Sequence, residues 1–125
     1  MTTEQMNEKL AEIALKAQTL DEQMKNLAEE CAELAQAALK YTRSLNHDYI
    51  DTDRALENLA EEIGDVENTI AAAKALIIKN NPKFQTKIDA NRDYKIKRWA
   101  SRIEKESGIK IDIDWFKIHT KGIYR

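Results

Sequence analysis

The sequence is short of the residues that shape folds outside helices: one cysteine, one proline and three glycines in 125 residues. A lone cysteine, Cys31, cannot close a disulfide within the chain, and the residues after Met1 lack the apolar core of a signal peptide, so the reducing cytoplasm is the expected compartment. So little glycine and proline argues against a strand-and-turn architecture and for helices joined by short connections. No apolar run approaches the roughly 20 residues needed to cross a bilayer. An excess of one charge is missing too. With 20 Lys and Arg against 22 Asp and Glu, the net charge is -2, which argues against nucleic-acid or membrane-surface binding by bulk attraction and makes any electrostatic site a local one. There is no glycine-rich phosphate loop, and His47 and His119 have no partners at zinc-binding spacing.

What the chain does have is abundant Ala, Leu, Ile, Glu and Lys, all but Ile strong helix formers. Its length suits a single domain that removes roughly two thirds of its unfolded surface from water. The expected fold is all-α, a four-helix-bundle-type core in which an antiparallel hairpin is joined by flanking helices. A first helix is expected over residues 3–18, with Leu10, Ile13, Ala14 and Ala17 at helical spacing. Thr19 and Glu22 form a capping box that opens a second helix running to about Arg43. Its apolar stripe is Met24, Leu27, Cys31, Leu34 and Ala38, which makes Cys31 a small core residue. Residues 46–51 form the connecting loop. The third helix, over 52–79, carries the longest apolar seam, Leu56, Leu59, Ile63, Val66, Ile70, Ala73 and Ile77. Pro82 suits the first position of a fourth helix, which ends near Ser107 and Gly108 and places Trp99 in the core. Residues 1–108 are thus read as the domain. Residues 109–125 alternate apolar and polar positions at first, which suits a short strand, an extended tail or a loose terminus.

The second and third helices share a repeat, 26–34 against 58–66, whose first five residues are identical. In each copy two acids stand three residues apart, Glu30 and Glu33 in one, Glu62 and Asp65 in the other, and that spacing makes them neighbours on a helix. Glutamate on a helix is most often a solvated flank. Such a flank would carry Lys or Arg four residues on, whereas Leu34, Ala37 and Val66 follow Glu30, Glu33 and Glu62. Two acidic pairs facing each other across a hairpin repel unless a cation lies between them. An oxygen-only ligand set suits a hard ion such as Mg²⁺, which keeps water and substrate phosphates in its shell.

The arrangement Glu30-Cys31-Ala32-Glu33 followed by Glu62-Ile63-Gly64-Asp65 resembles the ExxE…ExxD signature of the MazG-like, all-α nucleoside triphosphate pyrophosphohydrolase superfamily. The likeness covers about residues 20–105, and with Lys40 after the first motif it is similar to short phage and integron-type members. The resemblance implies Mg²⁺-dependent hydrolysis of a (deoxy)nucleoside triphosphate to the monophosphate and pyrophosphate, a pool-cleaning activity. It implies one or two Mg²⁺, with Mn²⁺ as a substitute, held by Glu30, Glu33, Glu62 and Asp65, and a homo-oligomer, dimer or tetramer. Related branches act on dUTP or phosphoribosyl-ATP. A different class also fits: a non-catalytic helical interaction or regulatory module that keeps the bundle.

Around the acids, Glu29 or Glu61 is the candidate base for the attacking water. Lys40, together with Lys95, Arg98 and Arg102 on one side of the fourth helix, is the candidate phosphate contact, with a solvated basic face as the alternative for each. Gln23 and Asn26 are the candidates for reading a base edge through their amides.

Overall fold

The computed structural model describes residues 1–47 and 50–111. The tail beyond Ile111, with Trp115 and His119, and the question of its strand or extended character lie outside the described residues. The helices are α1 (Thr3–Ala17), α2 (Leu20–Asn46), α3 (Thr52–Asn80) and α4 (Phe84–Ser107), with no strand among the described residues. No helix among them is long and apolar enough to cross a membrane. The chain divides into two compact units, Met1–Asn80 and Asn81–Arg125.

Local signals set the helix ends. The Thr19 hydroxyl accepts the Glu22 N–H at 3.2 Å, which is the hydroxyl half of the expected capping box. Asp51 does the same for α3, its Oδ1 accepting from Arg54 N at 3.1 Å. The connection between α2 and α3 is tied down where Thr52 Oγ1 donates to the Ser44 carbonyl at 3.1 Å. Pro82 does not open α4. It sits in the turn before it, where Phe84 N donates to the Asn81 carbonyl at 3.0 Å, because its fixed φ suits the second position of such a turn as well as a first helical position. Gly108 ends α4 with φ 73°, its N–H donating to the Glu104 carbonyl at 2.9 Å, a left-handed cap that only glycine adopts freely.

In the first unit α2 and α3 pack along their length as a hairpin, and α1 lies against α3. The hairpin seam is heptad-like. On α2 the inward positions are Gln23, Leu27, Glu30, Leu34, Ala37, Tyr41 and Ser44; on α3 they are Ala55, Leu59, Glu62, Val66, Thr69, Ala73 and Leu76. Steps of four and three keep each set on one side of its helix. Ala37, Ala55 and Ala73 are buried, and side chains that small allow packed helices to approach closely.

This seam keeps Leu27, Leu34, Leu59, Val66 and Ala73 of the expected stripes and departs from them elsewhere. Leu56, Ile63 and Ile70 are 48%, 43% and 38% exposed, and Cys31 and Ala38 are exposed as well. Each helix has two partly apolar faces, and the hairpin uses the face rich in alanine and carboxylates. The bulkier stripe is left outside, about one residue round the helix. The expected inward stripe of α1 is likewise not inward, since Leu10 and Ile13 are exposed while Asn7 is half-buried. In the second unit Trp99, expected in the core, is 59% exposed on α4, which has no fully buried residue. Its basic character is partly internal, with Lys97 paired to Asp93 at 3.1 Å one turn away.

Candidate metal centre

The heptad phase of the hairpin decides where the acids go. Glu30 and Glu62 occupy inward positions, and Glu33 and Asp65, three residues further along each helix, stand at the edge of the same seam. Because the repeat places one acidic pair on each of two antiparallel helices, the pairs meet. Glu30, Glu62 and Asp65 each bring one carboxylate oxygen into a group in which all lie within 4.8 Å of one another. Glu33 adjoins this group through hydrogen bonding and charge, acting on both Glu30 and Glu62.

Among the described residues the cluster is uncompensated. None of the four acids forms an ion pair among the described residues. Glu30 Oε2 and Glu62 Oε2 are shut off from solvent and have no hydrogen-bond partner among the described residues, a costly state for a carboxylate oxygen. Both side chains hold their protons more tightly than an ordinary glutamate. For Glu30 the causes are loss of solvent contact, then the charges of Glu33 and Asp65, hydrogen bonding with Glu33, and the charge of Glu29. For Glu62 they are again loss of solvent contact, Glu33, Asp65 and the Glu33 hydrogen bond, then Glu30. The group offers oxygen atoms only, from acidic side chains, and two of those oxygens lack a partner among the described residues; oxygen-only sets are the kind that hard divalent cations take as ligands.

The remaining candidates are spread more widely. Glu29 and Glu61 are exposed, each beside a cluster residue and outside the three-residue group. Gln23 is only 4% exposed, so the seam that carries Glu30 also takes up this amide and leaves it closed to a base edge; Asn26 is exposed. Lys95, Arg98 and Arg102 are exposed on α4, in the second unit. Lys40 lines a cleft of about 420 Å³ between α2 and α3, which also takes in Glu33 and Glu62.

The polar lining of that cleft also includes Gln36 and Arg43 on α2 and Asn58 on α3, none of them among the expected contacts. The signal was present, because Glu33, Gln36, Lys40 and Arg43 recur at steps of three and four and so share a strip of the helix. Comparison with protein-family models, curated proteins and solved structures gives no match for this chain.

Proposed function

We propose that the protein is a divalent-metal-dependent pyrophosphohydrolase of nucleoside triphosphates, of the MazG-like all-α kind that its paired motifs resemble. The observation that supports this most strongly is the meeting of two acidic pairs from two helices around carboxylate oxygens that, among the described residues, have neither a hydrogen-bond partner nor an ion pair. Glu30, Glu33, Glu62 and Asp65 would hold Mg²⁺, with Mn²⁺ as a substitute. When bound, the ion supplies neutralisation of phosphate charge and a lower pKa for the attacking water.

The chain's own groups complete the chemistry. Glu29 or Glu61, exposed beside the cluster, accepts the proton of the attacking water. The water oxygen bonds to one of the two phosphorus atoms of the anhydride between the first and second phosphates, the bond from that phosphorus to the bridging oxygen breaks, and the monophosphate and pyrophosphate separate. Lys40 contributes charge to the phosphate chain from the cleft. The exposed stripe of Leu56, Ile63 and Ile70 supports an oligomer, with the bundle completed by a second copy.

Purified protein with Mg²⁺ and a panel of nucleotides tests the reading. The expected products are a nucleoside monophosphate and pyrophosphate. Orthophosphate without pyrophosphate, or no turnover at all, overturns it, and a strong preference for dUTP or phosphoribosyl-ATP assigns the chain to those branches.

A further inference from the structure

The cleft between α2 and α3 has two chemically opposite ends. Glu33 and Glu62 belong both to its lining and to the acidic group, and Lys40 and Arg43 line it further along α2. Helical rise puts Arg43 about 15 Å beyond Glu33 along the axis, a span that a phosphate chain and two long side chains can bridge. Neither Lys40 nor Arg43 forms an ion pair among the described residues. The amides of Gln36 and Asn58 lie in the same lining and can donate hydrogen bonds to phosphate oxygens.

We propose that this cleft seats the terminal pyrophosphate end of the substrate's phosphate chain, with Arg43 and Lys40 as its cations and Gln36 and Asn58 as neutral donors. The inference rests on the metal-dependent reading above and gives the site a direction. The terminal phosphates carry most of the chain's negative charge and meet the two cations on one side of the acids. The nucleoside then lies on the other side, toward Asn26, which is exposed one turn before Glu30. Arginine suits this role because its planar fork pairs with two phosphate oxygens at once. The competing explanation for Arg43 is its place in the last turn of α2, where any cation offsets the helix dipole. Lysine would serve that purpose equally well.

Calorimetric titration of inorganic pyrophosphate into the full chain with Mg²⁺ separates the two explanations. Arg43→Gln is expected to weaken pyrophosphate binding about tenfold or more, and Arg43→Lys to weaken it by less while keeping the parent's melting temperature. The rise in melting temperature caused by Mg²⁺ alone is expected to stay at the parent's value in both. Unchanged pyrophosphate affinity in Arg43→Gln overturns the subsite, as does a loss seen only on replacing Lys95, Arg98 and Arg102, and in either case the metal reading survives. A parent that ignores Mg²⁺ yet loses pyrophosphate affinity with Arg43→Gln keeps the subsite and ends the metal reading. A parent that binds neither overturns both.

Discussion

At the scale of single residues, Glu30 and Glu62 carry the argument because they sit where a heptad seam calls for an apolar side chain. Their raised pKa values have a definite consequence for stability. The folded state holds protons on these groups above the ordinary value of 4.5, where the unfolded chain has released them. The folded state therefore binds more protons, and these two groups make stability fall as pH rises from 4.5 through their folded pKa values. The metal-free melting temperature is expected to drop from this cause as pH rises from 4.5 through those folded values, and Glu62→Gln to flatten the drop. Saturating Mg²⁺ should offset it, because the ion binds the ionised carboxylates. A metal-free melting temperature that rises across that range in the parent and in Glu62→Gln alike would count against a repulsive cluster. The four acids were legible in the sequence because their spacing repeats within two identical segments. Arg43 and Gln36 share a helical strip with Glu33 and Lys40, but neither they nor Asn58 could be assigned to a site, because such residues look like any helix flank until the hairpin register brings them to the cleft that also holds Glu33 and Glu62.

At the scale of elements, the boundaries of α2 and α3 could be read from Thr19 and from the polar loop, since caps and breaks are local. The facing sides could be read only in part. Period and hydrophobicity identify a helix with two partly apolar faces, but which face meets the neighbour depends on how closely the backbones can approach, and Ala37, Ala55 and Ala73 favour the narrower seam. Gly64 lies inside α3 between Glu62 and Asp65, and a Cβ added there meets nothing within 4 Å. A glycine in a helix interior costs about 0.5–1 kcal/mol relative to alanine. Gly64→Ala is accordingly expected to stabilise the subunit by about that much in urea unfolding. A loss of stability would mean that something outside this chain packs against the position.

At the scale of the whole molecule, the stripe of Leu56, Ile63 and Ile70 stays exposed in the single chain and supports association with a second copy. Light scattering at micromolar concentration is expected to find at least a dimer, and Ile70→Glu to shift it toward monomer; a monomeric parent contradicts this. The claim on which the function depends is that the acids hold a cation, and the melting temperature with and without Mg²⁺ tests it most directly. A ligand that binds only the folded state stabilises it, by about 2.7 kcal/mol at a hundred times its dissociation constant. Cation binding by the acids predicts that Mg²⁺ raises the melting temperature of the parent, that Glu62→Gln and Asp65→Asn lose most of that rise, and that the metal-free variants melt at or slightly above the parent because one repelling charge is gone. It is contradicted if Mg²⁺ leaves the parent unchanged while both metal-free variants melt well below it, the behaviour of acids that serve as structural ion-pair partners.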